Sequence, residues 1–88
     1  MMASGIKDLK YSLIALAKEI DDTAGKFATQ AQSLNSLGTV TSALLEQTTQ
    51  NVKETACNSI ADARQSSLDA AAVLIEASKE IKNYAAWL

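Results

Sequence analysis

Proline and histidine are missing from this 88-residue chain, cysteine occurs once, and glycine occurs only at Gly5, Gly25 and Gly38. Without proline, and with so little glycine, the residues that most often interrupt helices are nearly absent, so long helices are the default expectation. No stretch alternates apolar and polar residues between turn clusters, so strand signals are weak. A single cysteine forbids a disulfide within the chain. The lack of histidine removes the commonest metal ligand and the commonest acid–base catalyst.

Further absences narrow the function. There is no glycine-rich phosphate loop and no serine in a nucleophile-elbow pattern, so the sequence offers no catalytic residue and no cofactor site. Asp21-Asp22 is too sparse an oxygen cluster to expect metal binding, and reads as a solvated helix face. Eight basic residues stand against ten acidic ones. They form no basic stripe in either half, which argues against nucleic acid as a partner. No apolar run approaches the roughly 20 residues of a membrane-spanning helix, so no stable membrane insertion is expected. The apolar segment Tyr11–Ala17 is too short for a signal-peptide core and continues in register beyond Ala17.

What the chain does hold is aliphatic surface. Hydrophobic residues make up 48% of it and aromatic residues only 5%, a composition suited to helix interfaces rather than a thick globular core. Ser4 is the expected N-cap of a first helix, with Asp8 near the positive end of its dipole. Ile6, Leu13, Ile20, Phe27 and Leu34 recur every seven residues; Leu9, Leu16, Thr23, Gln30 and Leu37 follow three residues later. That 3,4 spacing predicts a seam along one side of the helix.

Asn35-Ser36-Leu37-Gly38-Thr39 is the clearest break, because glycine accepts the left-handed conformation that ends helices and a threonine can cap the next one. The sequence therefore predicts one domain, with helix one over about 5–36, a turn over about 36–40 around Leu37 and Gly38, and helix two over about 40–85. Thr48-Thr49-Gln50-Asn51 and Thr55 are poor helix formers within that second helix. Its seam is expected along Ala56, Ile60, Ala63, Ala70, Leu74, Ala77, Ile81 and Tyr84, with a second stripe of Leu68, Ala71, Ala72 and Ile75. Leu45 and Val52 join only after a shift of phase. At about 1.5 Å per residue the helices would measure roughly 50 and 65 Å, so the second would overhang the first.

The fold class is thus all-α, a long antiparallel two-helix hairpin. Its apolar arc is wider than one helix can cover, which predicts completion of a four-helix bundle by dimerisation or by partner binding. The expected partner interface is Ile60, Leu68, Leu74, Ile75, Ile81, Tyr84 and Trp87. Tyr84 and Trp87, three residues apart, fit either an interface anchor or bundle packing. Cys57 fits a small apolar helix position, with an intermolecular disulfide as its other use.

In size, helix content and central glycine turn, the chain resembles the small helical-hairpin proteins of bacterial type VII secretion, among them the Trp-x-Gly family and the small partners of LXG toxins. The motif's turn would fall at Ser36-Leu37-Gly38, where the glycine is matched and serine stands in place of tryptophan. The family's C-terminal aromatic-then-acid signal would begin at Tyr84 and meet Leu88 instead of an acid. The resemblance implies a partner protein or targeting adaptor that dimerises with itself or with the helical N-terminal domain of a toxin. It also implies residence in the bacterial cytoplasm and export without a cleaved signal peptide. The competing expectation is a homo-oligomeric structural coiled-coil subunit with no export role.

Overall fold

A computed structural model describes residues 5–88; the expected N-cap Ser4 lies outside them. The described residues form two helices, α1 (Gly5–Leu44) and α2 (Gln50–Trp87), packed side by side as an antiparallel hairpin. The rod measures 69 × 15 × 14 Å. Asp8 lies in the first turn of α1. No helix among the described residues is long and apolar enough to cross a membrane.

The connection lies at residues 45–49, not at 36–40. Leu37 and Gly38 are therefore helical residues of α1 rather than turn residues, and helix one runs to Leu44. The reason is how the turn closes. The Leu45 carbonyl accepts the Thr48 N–H at 3.0 Å and the Thr48 hydroxyl at 2.8 Å. The Glu46 N–H reaches the Ala43 carbonyl at 3.4 Å. Tightened i→i+3 bonds and a hydroxyl thus satisfy the carbonyls of Ala43 and Leu45 at the end of α1 and the start of the turn, and no left-handed glycine takes part. Thr49 adopts extended backbone, φ −63° and ψ 144°. Its carbonyl accepts the Lys53 N–H, the first bond of α2.

This placement also removes the predicted overhang. The helices contain 40 and 38 residues, so both are about 60 Å long and α2 has no long overhang. Ala85 is buried and Leu88 half-buried at the open end.

The seam follows a stricter rule than apolarity alone. In α1, Leu13, Ile20, Phe27 and Leu34 are half-buried, as their spacing predicts. Their companions lie four residues later, at Ala17, Ala24, Ala31 and Gly38, and the three alanines are buried. In α2 the column is Ile60, Ser67, Leu74 and Ile81, with Ser67 buried and the others half-buried. The companions of the last three, Ala71, Ser78 and Ala85, are all buried, whereas Ile60 is followed by exposed Arg64. Small residues every seven positions let two backbones approach closely, with larger neighbours closing over the contact. Ser78 Oγ accordingly reaches across to the Ala17 carbonyl at 3.2 Å. A Cβ added at Gly38 would sit 3.5 Å from Ile60 Cγ2.

The expected companions Leu9, Leu16 and Leu37 in α1 are exposed instead, as are Ala63, Ala77 and Tyr84 in α2. Leucine in the close-packed column would force the helices apart. Alanine at those positions permits the close backbone approach that the Ser78–Ala17 contact records.

Candidate interaction surface

Three contacts fix the register and the two flanks of the seam. Ala17 lies level with Ser78, and Gly38 with Ile60. Lys82 Nζ donates to Asp21 Oδ2 at 2.7 Å. Asp21 is four residues after Ala17 and Lys82 four after Ser78, so this ion pair closes the same flank from both helices. The column sharing that flank in α1 is Lys7, Ile14, Asp21, Ala28, Asn35 and Ser42; in α2 it is Glu54, Ala61, Leu68, Ile75 and Lys82. It mixes apolar residues with charge.

The opposite flank has a different chemistry. One residue before each small seam position of α1 come Leu16, Thr23, Gln30 and Leu37, and the same seven-residue column continues to Leu9 and Leu44 at its ends. The equivalent column of α2 is Ala56, Ala63, Ala70, Ala77 and Tyr84. Together they form a face that runs the length of the rod without one charged side chain. Leu16 is 45% exposed, Leu37 50% and Tyr84 53%. The next column of α2 brings Val52, Val73 and Trp87 beside it together with Glu80, and that of α1 brings Val40 together with Glu19 and Lys26, all of them exposed. The Thr23 hydroxyl is already satisfied, donating to the Glu19 carbonyl at 3.0 Å. Leucines on one helix and alanines on the other give the face a ridge beside a shallow groove.

The expected interface residues therefore divide. Ile60, Leu74 and Ile81 belong to the internal seam and are half-buried there. Leu68 and Ile75 lie on the Asp21–Lys82 flank. Tyr84 lies on the charge-free face, and Trp87, 85% exposed, stands at its border near the open end. The residues not anticipated as an outer surface are the leucine and alanine columns themselves. Their lack of charge over the whole rod was the available signal.

Electrostatics otherwise concentrate away from this face. Lys18 pairs with Asp22 at 3.2 Å, and Lys53 reaches Glu46 across the turn at 3.8 Å. Exposed pairs of this kind contribute tenths of a kcal/mol. The Asp21 carboxyl is held below the usual carboxylate range, chiefly by the hydrogen bond from Lys82. Near the turn an open groove of about 600 Å³ lies on the charged flank, lined in part by Asn35, Gly38, Ser42, Cys57, Ile60 and Arg64. Cys57 is half-buried there. No group of three or more histidine, cysteine or acidic side chains among the described residues is arranged to hold a metal.

No family model matches the chain, and no curated protein or solved structure matches it either.

Proposed function

We propose that this protein is a helical interaction module, which completes a four-helix bundle by docking a second pair of helices on its charge-free leucine and alanine face. One observation carries the reading. Among the described residues, the buried apolar set consists of five alanines, so every leucine, isoleucine, valine and large aromatic side chain remains partly or largely in water. A hairpin with so thin a core gains little from folding by itself. Covering the face adds the missing burial at about 25 cal/mol per Å².

In its finer form the partner is either a second copy or the helical N-terminal domain of a type VII toxin, for which this chain serves as a small cytoplasmic adaptor exported with its cargo. The toxin form is supported by the hairpin architecture. A homo-oligomeric structural subunit is the reading supported by the same exposed face without any export role.

The test is a pair of substitutions, Leu16→Glu with Leu37→Glu, on side chains that the hairpin already leaves half exposed. Binding to itself or to a co-expressed toxin helical domain is expected to vanish while helix content by circular dichroism is retained. Unchanged association by that variant would refute the face as the docking site. Leu74→Glu and Ile81→Glu make a poorer probe, since both residues are half-buried in the internal seam and a charge there is expected to destabilise the hairpin itself.

A further inference from the structure

We infer that the occupant of the charge-free face is a second copy of this chain, docked with both rods pointing the same way. In this arrangement the α1 leucine ridge of each copy lies in the α2 alanine groove of the other. This rests on the interaction-module reading and specifies its partner and geometry.

Three observations carry it. The first is area. The chain exposes 6377 Å² at a mass of 9.3 kDa, whereas a compact monomer of that mass exposes about 5,000 Å². A stable pair hides about 800 Å² on each partner. One long side of a 69 × 15 Å rod offers an outline of about 1,000 Å², enough for that contact.

The second is shape. A two-fold axis along the rod brings α1 of one copy against α2 of the other at equal height. The register then decides what meets. With Gly38 level with Ile60 and Ala17 with Ser78, Leu37 falls between Ala56 and Ala63 of the second copy. Leu16 falls between its Ala77 and Tyr84. Bulky side chains thus enter gaps between small ones, which is how facing helical layers fill space. Turning the second copy end over end instead sets leucine column on leucine column and alanine on alanine. That leaves a wedge, thick along α1 and thin along α2.

The third is charge. Neither column carries a charged side chain, so the centre of the contact buries no charge. Glu19, Lys26 and Glu80 stand in the bordering columns, at its exposed rim, where Glu19 of one copy comes near the level of Glu80 of the other and water screens the pair. Facing helices also run antiparallel, as they do within the hairpin.

The experiment uses the full chain with Cys57→Ser and Gln47→Cys, an exposed turn position, which places one spin label at each turn, and reads mass by sedimentation and the turn-to-turn distance by pulsed electron resonance. The expected result is a dimer with the two turns roughly 10–30 Å apart, since packed helices lie 8–10 Å apart and the labels add their own reach. Leu16→Glu with Leu37→Glu is expected to weaken self-association on the order of 100-fold or more. Ala63→Glu, exposed in the hairpin, is expected to act in the same direction from the other helix.

A dimer whose turns lie about a rod length apart, 69 Å, overturns the same-way arrangement. A monomer at millimolar concentration with a shallow thermal transition overturns the second copy as occupant and leaves the module reading standing. A monomer that melts sharply at high temperature overturns both.

Discussion

Ser78 Oγ donates to the Ala17 carbonyl oxygen at 3.2 Å, joining residues 61 positions apart in the chain through a side chain only one hydroxyl longer than alanine. So short a reach is possible because Ala17, Ala24 and Ala31 of α1 and Ala71, Ser78 and Ala85 of α2 hold the seam to small side chains. Ser78→Leu or Ala24→Leu is therefore expected to destabilise the hairpin by about 2 kcal/mol or more, as overpacked cores do. Ser78→Ala, which removes only the hydroxyl, is expected to cost about 0.5–1.5 kcal/mol. Thermal denaturation followed by circular dichroism at 222 nm checks both; a leucine variant as stable as the parent would contradict a close-packed seam.

That seam marks the limit of what the sequence discloses. The leucine, isoleucine and phenylalanine column at Leu13, Ile20, Phe27 and Leu34 was legible, because strongly apolar residues at a seven-residue repeat have few other uses. The alanine column was not. Hydrophobic periodicity weights Leu9, Leu16 and Leu37 above Ala17, Ala24 and Ala31, whereas close packing rewards the smaller volume. The turn was misplaced for a related reason. Gly38 offers the stronger local signal for ending a helix, but Thr48 and Thr49 end it without glycine by supplying a hydroxyl and an extended backbone. The shift of phase at Leu45 and Val52 was the trace of that turn, since Leu45 continues the α1 column of Ala17, Ala24, Ala31 and Gly38. Of the residues expected at an interface, Tyr84 and Trp87 are exposed on or beside the uncharged face, Leu68 and Ile75 lie on the opposite flank, and Ile60, Leu74 and Ile81 lie half-buried in the internal seam.

Gly38→Ala separates the two turn placements. No glycine among the described residues has positive φ, and a methyl group at Gly38 would make an ordinary contact with Ile60. Replacing a mid-helix glycine by alanine gains up to about 1 kcal/mol, so the melting temperature is expected to rise by roughly 4–8 °C for a domain of this size. A glycine required by a turn at 36–40 would give a fall instead. Gly25→Ala, with open space around the added methyl group, is expected to add a similar increment.

Acid dependence follows from the Asp21–Lys82 pair. Folding lowers the Asp21 pKa, chiefly through the hydrogen bond from Lys82. A carboxyl of this kind supports the fold at pH values above its unfolded pKa of about 3.9. Its contribution is lost as pH falls through the lower folded value. Urea unfolding at about pH 5 and about pH 2 should show the parent losing more stability than Asp21→Asn over that interval. Equal losses in the two proteins would show that the pair does not contribute. Added salt is expected to reduce the difference, because both side chains are partly exposed.

Trp87, the chain's one tryptophan, reports on the open end of the face. At 85% exposure its indole is expected to emit near the wavelength of free tryptophan in dilute solution, with ready acrylamide quenching. Trp87 borders the face beside Tyr84, at the height where Leu9 of a second copy would arrive, so association removes water from one side of the ring. Raising the concentration of the parent chain should therefore shift emission to the blue and reduce quenching. Leu16→Glu with Leu37→Glu leaves Trp87 and Tyr84 in place, and its emission should stay red over the same range. A blue shift that persists in that variant would place the protecting contact at the open end alone, away from the leucine ridge.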